Sequence, residues 1–134
     1  MKIEFEENGI RRTIEPVTEN LIFEKLNQLD SNGSPFLILE RGKEGYIQCV
    51  GDRERCSVEV RFNLEIGFRH FVVGRKDVDD IWATIESKVG QIRVLKNEVL
   101  TINEAFELLA SFFESGILPD FYNQRNVSKL FAKD

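Results

Sequence analysis

The sequence contains very few of the residues that usually carry catalysis or bind metals. Among its 134 residues there are one histidine, one tryptophan, one methionine, two cysteines and three prolines. A tetrahedral zinc site needs four ligands, which one histidine and two cysteines cannot supply, and neither cysteine belongs to a Cys-x-x-Cys pair. The composition therefore indicates a protein that binds no structural zinc.

The standard sequence signatures of nucleotide and acyl chemistry are also missing. The glycines are isolated, with no Gly-x-Gly-x-x-Gly loop and no Gly-x-Ser-x-Gly nucleophile elbow. Residues 77–80 contain three aspartates, but a valine interrupts them, and Lys88 stands where a calcium loop needs its twelfth-position glutamate. We therefore expect no metal, no cofactor and no catalytic residue, and we interpret 77–80 as a solvated acidic turn.

His70 is the one histidine of the sequence, and histidine is the residue type that can transfer protons near neutral pH without help from its surroundings. Alternation along the predicted strand 67–74 places it on the same face as Phe68 and Val72, which favours a structural role. A nucleophilic pair with Cys49 or Cys56 remains an open alternative, because folding can bring such partners together from distant positions.

The two cysteines flank a predicted charged turn at 51–55. A disulfide between the adjoining strands is one alternative. Reduced thiols are the other, and we expect them because the N-terminus has no apolar signal segment and cytosolic disulfides are rare.

No apolar run approaches the roughly 20 residues that a membrane span needs, so we expect a cytoplasmic protein that does not bind membranes. The net charge is −5 and the isoelectric point is about 5.0, which argues against a direct contact with nucleic acid. An acidic surface suits a basic protein partner, although the same charge also keeps a small protein soluble.

Periodic apolar patterns predict one α+β domain over residues 1–134. It is an antiparallel β-sheet of about five to seven strands with two main helices packed on one face. Residues 36–41 form a nearly continuous apolar run, which predicts a strand buried on both faces. Residues 81–86 are interpreted as a strand or an irregular extension. The other predicted strands lie in KIEFEE, IRRTIE, 46–50, 57–62, 67–74 and QIRVL.

Two helices have clear start signals. Thr18 is a suitable N-cap for the first, and Thr101 with Glu104 forms a capping-box pattern for the second. Gly116 suits the end of the second helix, whose apolar face is rich in phenylalanine. We expect the following residues to be a loop, and 127–131 to form a short docked helix.

The stretch EVLTINEAFELLASFFESGILPDFYNQRNVSKLF resembles the C-terminal part of small bacterial immunity proteins encoded beside contact-dependent-inhibition and related polymorphic toxins. In that family an Ala-x-x-Leu helix ends in Phe-Phe-x-x-Gly and is followed by Pro-x-x-Tyr-x-Trp-Arg. Gln124 departs from this pattern, because the family has tryptophan there. The matching positions are Ala105, Leu108, Phe112, Phe113, Gly116, Pro119, Tyr122 and Arg125.

The resemblance implies a binding protein and not an enzyme. An immunity protein forms a stoichiometric heterodimer with its cognate toxin domain and neutralises it, and a nuclease is one candidate toxin. Two alternatives stay open from the sequence: a protein-binding or regulatory module unrelated to toxins, and an enzyme or small-ligand binder that uses His70, a cysteine and the acidic turn. For partner contact we select acidic residues near turns and two aromatic anchors: Glu40, Glu44, Asp77, Asp79, Asp80, Tyr46 and Trp82.

Overall fold

In the computed structural model, which describes residues 1–131, seven strands form one antiparallel sheet. Two helices pack on one face of it, so the predicted α+β class, strand number and helix placement are confirmed. The strands of this sheet are β1 (Lys2–Glu7), β2 (Ile10–Ile14), β3 (Phe36–Glu40), β4 (Gly45–Gly51), β5 (Cys56–Asn63), β6 (Phe68–Arg75) and β9 (Tyr122–Asn126). They lie side by side in the order β2-β1-β3-β4-β5-β6-β9.

The face of the sheet that lies under the helices is apolar because alternate strand residues point to it. Strand pairing aligns these residues in rows, for example Leu39 opposite Ile47 and Ile47 opposite Val60. They form the main hydrophobic core with Leu109 and Phe112 of the second helix. We call this the helix face of the sheet, and the opposite side the open face.

Both helices begin as the sequence predicts. The hydroxyl oxygen of Thr18 accepts the Leu21 N–H at the start of α1 (Glu19–Leu26). Thr101 and Glu104 form the capping box of α2 (Ile102–Ser115). Gly116 ends α2 with a φ of 76°, a conformation that a β-carbon disfavours.

A second, two-stranded sheet lies on the open face. It is the hairpin of β7 (Trp82–Ser87) and β8 (Gly90–Leu95). Ile85 and Val94 of the hairpin pack against Val72 of the main sheet and against Val127. The strand interpretation of residues 81–86 is therefore confirmed, although this strand belongs to a separate sheet.

Two local predictions were wrong. Strand β3 is not buried on both faces: Leu37 and Leu39 are buried on the helix face, whereas Phe36 and Ile38 on the open face are only half-buried. The hairpin packs elsewhere on that face, against Val72.

The tail was the second error. Residues expected to be a loop form β9, an edge strand that pairs with β6. Its residues are polar because one side of an edge strand faces solvent, so the sequence lacks an apolar strand pattern. The described residues then end with a short 3₁₀ helix, Ser128–Phe131, within the 127–131 segment that we expected to form a short docked helix.

Candidate functional site

A cluster of polar side chains joined by hydrogen bonds lies on the open face of the sheet. Tyr46, Arg61 and His70 are direct neighbours across β4, β5 and β6, and Glu59 precedes Arg61 on the same face. The Arg61 Nε donates a hydrogen bond to His70 Nδ1 over 3.1 Å. The His70 Nε2 lies 2.6 Å from Glu59 Oε1. We call Glu59, Arg61 and His70 the His70 triad.

The triad fixes the tautomer of the imidazole. Since Nδ1 accepts from Arg61, which has no acceptor atom, Nε2 carries the hydrogen and donates it to Glu59. His70 is only 1% exposed. Neither ring nitrogen is free to take a proton from a substrate in this arrangement, because both are already hydrogen-bonded.

The structure also separates His70 from both cysteines. Cys49 and Cys56 belong to the core on the helix face, whereas His70 faces the other side of the sheet. A nucleophilic Cys–His pair therefore cannot form in this fold. A hydrogen bond with Cys56 raises the pKa of the Cys49 thiol, and burial raises it further. Both cysteines are free thiols, and within residues 1–131 no group of three or more His, Cys, Asp or Glu side chains is arranged to hold a metal.

The seven residues predicted for partner contact fall into two groups. Glu40 and Tyr46 face each other across β3 and β4, and Glu44 lies in the 3₁₀ turn just before β4. Both glutamates already have cationic partners, Lys2 at 3.3 Å from Glu40 and Arg41 at 2.8 Å from Glu44.

The second group follows the opposite end of β6. Asp77 and Asp80 are exposed in the β6–β7 loop, and the half-buried Asp79 accepts the Ile81 N–H at 3.0 Å. Trp82 is 47% exposed, and its ring lies over the guanidinium groups of Arg93 at 4.8 Å and Arg125 at 5.4 Å. The structure thus brings Glu40, Glu44 and Tyr46 together at one end of the sheet and separates them from this loop, which follows the opposite end of β6.

Sequence reasoning missed an aromatic pair on the outer side of the helices. Phe23 of α1 is 53% exposed, and its ring contacts that of Phe106 of α2 in an edge-to-face arrangement at 5.2 Å. Exposed glutamates lie on the same two helices. We define the acidic helix face by Glu19, Phe23, Glu24, Phe106, Glu107 and Glu114.

The helices α1 and α2 carry a concentrated negative charge. Their segments contain five glutamates and one lysine, a net charge of −4 (1 − 5), compared with −5 for the chain. Glu104 is engaged by Arg75, and Lys25 lies 3.7 Å from Glu7. The sequence already indicates an acidic helix surface, because α2 has three acidic residues and no basic residue.

No family model matches the chain, and a comparison with curated proteins finds no match either. The motif positions of the resemblance have structural roles: Tyr122 is buried with its hydroxyl bonded to Glu107, and Arg125 is bonded to Glu98. Within residues 1–131, neither helix is long and apolar enough to cross a membrane.

Proposed function

We propose that this protein is an immunity protein, which binds a cognate toxin domain in the cytoplasm of the producing cell and neutralises it in a stoichiometric complex. The observation that carries the proposal is the acidic helix face, where four exposed glutamates lie on the same two helices as the half-exposed Phe23 and its aromatic partner Phe106. The sequence resemblance supports the same function independently of that surface.

Aromatic side chains at the centre of a surface are typical anchors of protein interfaces. Phe23 is a candidate anchor, because its ring is half exposed and rests on Phe106, which in turn packs on the core. Carboxylates around such an anchor accelerate the encounter with a basic partner and make its rate depend on salt. A nuclease toxin fits this description, since its nucleic-acid cleft is basic.

The test is a binding and protection experiment with the product of the adjacent gene. We expect that gene to encode a toxin whose expression stops growth unless this protein is also expressed. The purified proteins should form a one-to-one complex, and the association rate should fall steeply as salt is raised. An adjacent gene product that is neither toxic nor bound would contradict the proposal.

Matched charge variants then identify the surface. Glu24→Gln with Glu114→Gln removes two charges from the acidic helix face, and Asp77→Asn with Asp80→Asn removes two from the β6–β7 loop, so the net charge changes equally. We expect the first pair to slow association more than the second. The opposite order would move the interface to the loop that the sequence predicts.

A further inference from the structure

Arg61 lies inside a group of aromatic rings on the open face. Its guanidinium carbon is 3.8 Å from the centre of the Phe68 ring, 4.7 Å from that of Phe131 and 5.4 Å from that of Tyr46. These contacts restrict the motion of the side chain, and the rings occupy space beside the guanidinium faces that water would otherwise fill. The rings accept no hydrogen bond from the guanidinium edge, so the N–H groups there stay available.

The His70 triad fixes the same guanidinium at one edge. Arg61 Nε is bonded to His70 Nδ1, and the opposite nitrogen of His70 is bonded to Glu59. The other edge of the guanidinium, formed by Nη1 and Nη2, is not bonded to the triad. Within residues 1–131, neither of these two nitrogens has a hydrogen-bond acceptor and no carboxylate lies within ion-pair distance of Arg61.

From this geometry we propose that Arg61 is a binding site for a carboxylate, which is held by two parallel hydrogen bonds from Nη1 and Nη2. The fork of an arginine matches the spacing of carboxylate oxygens, and here it is already oriented and partly desolvated. Preorganisation of this kind strengthens binding because less side-chain entropy is lost.

The surrounding charges favour a monoanion. Glu59 and Arg61 are bonded to the two nitrogens of the same imidazole, so the Glu59 carboxylate opposes each additional negative charge on a ligand. Arg125, a second cation on the open face, is already bonded to Glu98 by two hydrogen bonds of 2.8 Å. A carboxylate therefore fits this site better than a doubly charged phosphate.

The experiment is a titration followed by NMR of the arginine Nε–Hε resonances. Sodium acetate, inorganic phosphate and an aspartate with acetylated and amidated ends are added separately, with sodium chloride keeping the ionic strength constant. We expect the Arg61 signal to shift saturably when acetate or the blocked aspartate is added, with half-saturation at millimolar concentrations. We expect the protein to bind phosphate less tightly than acetate. Tighter binding of the blocked aspartate than of acetate would identify a polypeptide as the source of the carboxylate, and equal binding a small molecule.

Two substitutions provide the control. Arg61→Lys keeps the charge but loses the fork, and we expect it to weaken acetate binding about tenfold, which corresponds to the loss of one charge-assisted hydrogen bond. Arg69→Lys is the matched change at an exposed arginine on β6, and it should leave binding unchanged. Binding to Arg61→Lys is followed through the remaining backbone signals of β5.

Three results would overturn the proposal: a wild-type shift that does not saturate or equals that caused by chloride, tighter binding of phosphate than of acetate, or equal acetate affinity in the Arg61→Lys and wild-type proteins. The first two need no variant, so they are decisive even if Arg61→Lys folds poorly.

Discussion

Arg125 is held by the fully buried carboxylate of Glu98 through two hydrogen bonds of 2.8 Å. The same carboxylate accepts the Leu95 N–H at 2.8 Å, next to the end of β8. One side chain thus connects the edge strand β9 to the hairpin segment. Arg125 is one of the positions on which the sequence resemblance rests, and this contact gives it a structural role within the fold.

We predict that Arg125→Met lowers the free energy of unfolding by about 3–5 kcal/mol, because it leaves a buried carboxylate without its counter-charge. Adding Glu98→Gln should recover part of this loss, since an amide can still accept the Leu95 N–H without being charged. Urea denaturation of the two variants and the wild type measures both effects.

Arg75→Met is the matched control, because Arg75 forms the same two-bond contact with Glu104 at 2.8 and 2.6 Å but is exposed. It should cost less than about 1 kcal/mol, as exposed ion pairs generally do. Equal costs at the two arginines would show that burial of Glu98 does not make the contact strong.

A structural feature can be predicted from the sequence when the residues that determine it lie close together in the chain. Capping at Thr101 and the helix end at Gly116 depend on neighbours a few residues away, so the sequence predicts them correctly. Strand β9 depends on pairing with β6, a contact across more than 45 residues, and its polar sequence carries no local signal.

The candidate site was harder to predict for the same reason. Phe23 and Phe106 occur in apolar helical stripes, and the sequence does not say that Phe23 stays exposed at the outer side of the helix pair. The parity of His70 was predictable from strand alternation. Its hydrogen bonds to Arg61 and Glu59 were not, because they join side chains from neighbouring strands.

Two phenylalanines of α2 should differ in their contribution to stability. Phe112 is fully buried, so we predict that Phe112→Ala lowers the free energy of unfolding by about 3–5 kcal/mol. Phe106 is half-buried, and Phe106→Ala should cost only about 1–2 kcal/mol from lost burial and the edge-to-face contact with Phe23. Chemical denaturation measures both, and a larger loss at Phe106 would contradict this assignment of the core.

The two cysteines should resist thiol reagents in the folded protein. Both are buried, and the hydrogen bond with Cys56, together with burial, raises the pKa of the Cys49 thiol, so little thiolate is present. We predict that a chromogenic disulfide reagent reacts with two thiols in urea and with none on the same timescale in buffer. Rapid labelling of the folded protein would show that the strand pair β4–β5 opens readily.

Acid should weaken the fold partly through Glu104. Burial by itself raises the pKa of this carboxyl, but hydrogen bonds from Arg75 and Thr101 outweigh burial and hold the pKa below its ordinary value of 4.5.

Because the folded state favours the charged form of Glu104, the stabilisation is complete above the unfolded pKa and is lost as the pH falls through the folded pKa. We therefore predict that Glu104→Gln destabilises the protein more near neutral pH than at acidic pH, where the stabilisation by the charged carboxyl is being lost. Glu65→Gln, a change in the exposed β5–β6 turn, is the control for removing one carboxylate, and it should change the stability little. Urea unfolding at both pH values measures the difference, and a cost of Glu104→Gln that does not change with pH would show that the charge of Glu104 does not stabilise the fold.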